Sequence, residues 1–168
     1  MRCDVKGKEK RKVAIHIVLV EPEIPPNTGN IARSCAATGS VLHLVEPLGF
    51  SINDKHLKRA GLDYWPFVKL LVHESLDRFL CEYSGMKMYF ATTKGKRMYA
   101  DVEFADEDMI IFGKETEGLP RDIIEKHKEF SVRIPMAEET RLRSLNLSNS
   151  VSIILFEALR QLGFPDLK

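Results

Sequence analysis

The sequence predicts an α/β domain with a mainly parallel sheet covered by helices on both faces. Two observations lead there. Strand-length apolar runs alternate with helical segments along nearly the whole chain. The first runs are continuously apolar rather than alternating, as in strands buried on both faces. A third observation locates the chemistry. The loops leaving three of the strands carry glycine, hydroxyl and charged residues, and ligands of such sheets bind where strands end.

Residues 13–20 are a β-branched run and form the first strand. His16 inside it reads as a satisfied core or interface histidine. The stretch Glu21-Pro-Glu-Ile-Pro-Pro26 is too rich in proline for helix and reads as a stiff loop. Asn27 or Thr28 then caps a helix that Gly39 ends. Val41–Val45 is a second strand. A short helix over 54–60 stops at Gly61, and the aromatic turn Asp63-Tyr-Trp-Pro66 leads into a strand over 67–72. Residues 75–83 are a helix with Leu76, Phe79 and Leu80 inward. Met88–Ala91 and Met109–Phe112 are strands, Arg121–Lys126 a helix and 130–134 the last strand. The final helix turns Leu147, Val151, Ile154, Leu155, Ala158, Leu159 and Leu162 to one face, at steps of three and four. Ile153 and Phe156 form a second apolar strip, suited to a partner subunit or to burial within the chain.

The 168 residues suffice for one domain with a proper core. Three cysteines, far apart and with no CxxC pair, predict neither a disulfide framework nor a zinc site, and fit a reducing cytoplasm. No apolar run reaches membrane-spanning length. The net charge of +1 conceals a basic tail: residues 1–12 carry a balance of +4 and the remainder −3. We expect a disordered tail over 1–12 and a single domain over 13–168, with polyanion affinity confined to the tail or to local patches.

Three stretches carry chemistry. Gly113-Lys-Glu-Thr-Glu-Gly118 follows a strand, but Gly118-Leu-Pro120 lacks the Gly-Lys-Ser/Thr of a P-loop, and no GxGxxG is present. What remains is a glycine where a ligand can approach backbone, a carboxylate at Glu115, a second glycine for the turn and a helix-starting proline. Arg33 lies one turn into the helix after Asn27-Thr-Gly-Asn30. Six small polar residues (Ser144, Asn146, Ser148, Asn149, Ser150 and Ser152) crowd the entry to the last helix, more than one cap needs. Arg141 and Arg143 beside them form a basic pair able to clamp a phosphodiester backbone.

Together, Asn27-Thr-Gly-Asn-Ile-Ala-Arg33, Ile111-Phe-Gly-Lys-Glu-Thr-Glu-Gly-Leu-Pro120 and Ser144-Leu-Asn-Leu-Ser-Asn149 resemble the three ordered motifs of the SpoU branch of SPOUT RNA methyltransferases. The Arg59-Ala-Gly-Leu-Asp-Tyr64 and Thr92-Thr-Lys-Gly95 runs are similar to those of its small members that act on the tRNA wobble nucleotide. The resemblance covers about residues 13–165 and implies a C-terminal trefoil knot, a homodimer and S-adenosylmethionine as cofactor. It implies a cofactor pocket of Ala91, Thr92, Gly113, Gly118, Ile134, Met136, Ser144, Leu145 and Asn146, met largely through backbone groups. It also implies a catalytic set of Arg33, Glu115 and Asn30, with no metal. The implied reaction is methylation of the wobble ribose 2′-OH in the tRNA anticodon stem-loop, in the cytoplasm, with neither DNA nor membrane as partner. Methylation of another RNA site, and a knotted RNA-binding protein without activity, are the alternatives.

Overall fold

The computed structural model describes residues 14–52, 64–137 and 144–168. Its strands are β1 (His16–Val20), β2 (Val41–Val45), β3 (Lys69–His73), β4 (Met88–Ala91), β5 (Arg97–Met98), β6 (Met109–Phe112) and β7 (Ser131–Arg133). The helices are α1 (Pro25–Thr38), α2 (Leu76–Glu82), α3 (Arg121–Lys126) and α4 (Leu147–Gln161). The strands form one sheet in the order β3-β2-β1-β6-β4-β7-β5, and every pairing between them is parallel. The expected fold class is therefore observed. The short β5, which the sequence did not suggest, closes one edge by pairing Arg97 with Val132 and Met98 with Arg133.

Side-chain alternation along the central strands builds two cores. Ile17 and Leu19 of β1, Leu42 and Leu44 of β2, and Ile110 and Phe112 of β6 face α1 and α4, where Ile31, Cys35, Val151, Ile154 and Leu155 cover them. Val18, Val20, Met109, Ile111 and Phe90 point the other way, onto Phe79 of α2 and Leu119 and Ile123 beside and within α3. Burial on both faces explains why β1, β2 and β6 read as unbroken apolar runs. Burial also pushes the Cys35 thiol up to about 12, so it behaves as a small apolar side chain.

The start of α1 corrects one expectation. Neither Asn27 nor Thr28 caps it: the helix begins at Pro25, with Ile24 in extended conformation at the cap position. Pro25 and Pro26 occupy the first turn. There the missing N–H would have had no helical partner, and φ is already set for helix. Asn27 and Thr28 are thereby moved into the helix and buried.

Three histidines cross the α2 face of the sheet. His16 Nδ1 lies 2.8 Å from His43 Nε2, and His43 Nδ1 lies 2.9 Å from His73 Nε2. Glu107 stands 3.6 Å from the far nitrogen of His16, and Glu82 3.9 Å from that of His73. Phe79 and Tyr83 pack edge-on against His43 and His73. Each imidazole pair needs one N–H and one lone pair, so neutral rings suit the chain. Burial, with His16 and His73 as like neighbours, lowers His43 to about 3. Burial lowers His16 too, against the pull of Glu107 and Asp106 and together with Lys69, and lowers His73 against Glu82. His16 is thus a core histidine, as its setting in an apolar strand suggested.

Candidate functional site

The strand order reverses between β1 and β6, and the loops after β4, β6 and β7 meet beside this point. They enclose, with the entries to α1 and α4, a cavity of about 540 Å³. Ala91 and Thr92 come from the end of β4, Gly113 and Gly118 from the loop after β6, and Ile134 and Met136 from the chain after β7. Ser144, Leu145 and Asn146 supply the wall at α4. Every residue assigned to a cofactor pocket by motif matching therefore lines one cavity.

The loop after β6 folds tightly on itself. Gly118 donates its N–H to the Lys114 carbonyl at 2.9 Å and has φ +73°, which favours glycine. A Cβ on Gly113 would stand 2.0 Å from the Gly118 carbonyl carbon and 2.2 Å from the Leu119 nitrogen. Only glycine lets the two limbs of the loop come this close. Lys114 bridges Glu117 at 3.0 Å and Glu21 at 3.5 Å on the outer side.

A chain of side-chain hydrogen bonds joins the three motifs. The Glu115 carboxylate accepts from the Glu23 N–H at 2.8 Å, the Ile24 N–H at 3.2 Å and Asn27 Nδ2 at 3.0 Å. Asn27 Oδ1 in turn accepts from Asn146 Nδ2 at 2.9 Å. Asn146 Oδ1 caps α4, accepting from the Ser148 N–H and hydroxyl and the Asn149 N–H. In the reverse direction, Glu23 accepts from the N–H and hydroxyl of Thr116. Residues about ninety and one hundred and twenty positions apart are fixed in register this way. Ile24 and Leu145, 43% and 41% exposed, are left as apolar lips of the cavity.

The structure separates the predicted catalytic residues. Glu115 lines the cavity, but its carboxylate oxygens are committed to the loop before α1. Asn30 and Arg33 are exposed on α1 and are not part of the cavity wall. Arg33 lies six residues beyond Asn27, roughly 9 Å along the helix axis. Its Nη2 donates to the Tyr64 hydroxyl at 2.9 Å, and its guanidinium carbon lies 4.5 Å from the centre of the Tyr64 ring. Arg141, Arg143, the basic tail, the 54–60 helix and most of the Arg59–64 run lie outside the described residues. Sequence reasoning missed Asn27 and Tyr64. Asn27 was visible as one of two asparagines in the motif, but only the folded chain shows that it is the buried one.

Fold and site define a parallel α/β domain with a small-molecule cavity at its topological switch point. Residues 14–156 match the SpoU rRNA methylase family, and the chain belongs to that family. It is 48% identical over 152 residues to the tRNA (cytidine(34)-2′-O)-methyltransferase of Escherichia coli (strain K12), covering 90% of this chain and 96% of that one. It is 50% identical over 149 residues to the protein of the same name from Methylovorus glucosotrophus (strain SIP3-4), covering 88% and 96%. A solved structure from work on the 2-OH methylation of C/U34 on tRNA superposes with a TM-score of 0.84 at 41% identity, covering 90% of this chain and 97% of that one.

Proposed function

We propose that this protein transfers a methyl group from S-adenosylmethionine to the ribose 2′-OH of nucleotide 34, the wobble position of tRNA. The observation that carries the reading is the Glu115–Asn27–Asn146 chain, which makes one cavity out of three motifs. Relatives at about 50% identity that share nearly the whole chain carry the name of this activity.

The cavity fits the cofactor. Its volume suits a nucleoside-sized ligand. Its wall pairs the apolar side chains of Ile134, Met136 and Leu145 with loop backbone at Ala91, Thr92, Gly113 and Ser144. Such a set would hold an adenine ring through apolar side chains and peptide N–H and C=O groups. The bound cofactor would supply an electrophilic methyl carbon on a sulfonium. The chain's own contribution is to align the ribose hydroxyl and to stabilise negative charge as it builds on the ribose oxygen. We assign the last task to Arg33 and the fixing of the loops to Glu115 and Asn27. Asn30 lies one turn before Arg33 on the same exposed side of α1 and would orient RNA there.

Because Arg33 is not in the wall of its own cavity, we infer that the protein works as a homodimer in which each cavity takes this arginine from the second subunit. Phe156 on α4 is 48% exposed, and α4 packs against α1, the helix that carries Arg33. The chain path supports the knot that the family resemblance implies. β7 slots between β4 and β5, both earlier in sequence, and residues on both sides of the following segment, Ile134 and Met136 before it and Ser144 after it, line the same cavity. The basic tail, Arg141 and Arg143 would grip the anticodon stem-loop, and a cytoplasmic site of action follows from the substrate. Among the described residues no helix is long and apolar enough to cross a membrane.

Arg33→Ala tests this reading. We expect loss of methyl transfer by about 10²-fold or more, with thermal stabilisation by S-adenosylhomocysteine retained. Co-expressing Arg33→Ala with Ser144→Trp, which fills the cavity mouth, tests the shared site. About a quarter of the wild-type sites should be restored if the arginine crosses between subunits. Mixed dimers without activity would place the arginine and cavity in one subunit.

A further inference from the structure

We propose that Tyr64 is a positioning residue that holds Arg33 as a cation, so that Arg33 stabilises the developing ribose oxyanion and does not take the hydroxyl proton. The inference rests on the assignment of Arg33 to the methyl-transfer site.

One phenol side chain meets the guanidinium twice. Its oxygen accepts a hydrogen bond from Nη2 at 2.9 Å, and its ring face lies 4.5 Å from the guanidinium carbon. Both contacts suit a guanidinium, which is charged in ordinary surroundings. The ring quadrupole attracts a cation, and a neutral guanidine would forfeit most of that attraction. Among the described residues no carboxylate is paired with Arg33. A carboxylate partner would have cancelled the field that an oxyanion needs; an aromatic platform does not.

The platform is itself anchored. The Tyr64 carbonyl accepts from the Phe67 N–H at 2.9 Å, which starts the 3-10 turn Trp65–Phe67. That turn packs against α1, and Trp65 reaches the core beneath the same helix. Tyr64 therefore fixes a long, exposed side chain relative to the helix from which it projects. An arginine held in one place loses less freedom when substrate arrives.

The step balances without a basic arginine. The ribose oxygen forms a bond to the methyl carbon, the carbon–sulfur bond breaks with its electron pair staying on sulfur, and the hydroxyl proton passes to solvent water. Arg33 keeps all its protons throughout.

The sign of one mutational effect separates the two roles. Tyr64→Phe removes the hydroxyl and keeps the ring; Tyr64→Leu removes both. If Arg33 acts as a held cation, kcat on unmodified tRNA falls, by roughly 3- to 10-fold for Phe and further for Leu. The KM for S-adenosylmethionine and the melting temperature of the Phe variant should stay near wild type, and the loss should be equal at pH 7 and pH 9. If Arg33 were the base, removing groups that favour its cation would raise kcat instead, and that result overturns the proposal. An unchanged kcat in both variants overturns it too, leaving Tyr64 as packing for α1. Arg33→Ala run alongside distinguishes the failures: a fully active Arg33→Ala removes the assignment of Arg33 itself, whereas an inactive Arg33→Ala with an unaffected Tyr64→Phe removes only the role of Tyr64.

Discussion

Two chains of side-chain hydrogen bonds cross this molecule, and they differ in what they connect and in whether amides or imidazoles make the links. At the ligand edge, Glu115, Asn27 and Asn146 join three loops that are remote in sequence. On the α2 face, His16, His43 and His73 join three strands that are already neighbours in the sheet. The amide links of the first chain have no proton to gain near neutral pH. Every link of the second is a pair of imidazoles that burial keeps neutral. The difference teaches that the asparagine links at the cavity carry no titrating group of their own, while one edge of the sheet is held by groups that depend on staying neutral.

The largest effect should come from breaking the ligand edge at its tightest point. Gly113→Ala forces a Cβ to within 2.0 Å of the Gly118 carbonyl carbon. The loop must open, so we expect loss of S-adenosylhomocysteine binding by calorimetry and a lower melting temperature. Asn27→Ala should follow. It removes the part-buried links from Asn27 to Glu115 and Asn146 and should cost about 1 kcal/mol in denaturant unfolding, with weakened cofactor binding. The His16–His43 and His43–His73 contacts should be unaltered, visible as unchanged imidazole resonances.

The histidine chain should respond to acid. An unfolded histidine takes up a proton near pH 6.5, whereas folding lowers His43 to about 3. As pH falls from about 6.5 toward 3, the unfolded chain binds a proton that the folded chain refuses, and stability falls with it. The slope for His43 grows toward about 1.4 kcal/mol per pH unit once the pH is well below 6.5, measured as urea midpoints between pH 7 and pH 4. His43→Gln should flatten that slope. Cofactor affinity at fixed folded fraction should change little over the same range. The smallest effect is expected for His73→Gln at the β3 end of the chain, which removes a single imidazole link, a shift of about 1 kcal/mol, with methyl transfer intact.

Much of this architecture was legible in the residues. The strands β1, β2, β4 and β6 show as unbroken apolar runs because both their faces are covered, and the last helix shows by its period. The edges were harder. β5 has two residues and no apolar signature, so only its pairing with β7 reveals it. The start of α1 was misread because two prolines look like a helix breaker, when in the first turn they are tolerated. Within the site, the cavity-lining residues followed from the motifs, since loop backbone at strand ends is fixed by the fold. The partners of individual side chains did not. That Glu115 ties loops together, that Asn27 rather than Asn30 is buried, and that Tyr64 holds Arg33 all depend on contacts across about thirty to ninety residues. Local pattern carries no signal for contacts of that range.

The most direct test is to incubate the purified protein with S-adenosylmethionine and unmodified tRNA and to map the methylated nucleotide by mass spectrometry of nuclease fragments. A cavity shared by the three motifs and served by Arg33 predicts a single methyl on the ribose 2′ oxygen of nucleotide 34, absent with Arg33→Ala. A methyl on a base, a methyl at another nucleotide, or no transfer by a protein that still binds S-adenosylhomocysteine would contradict it.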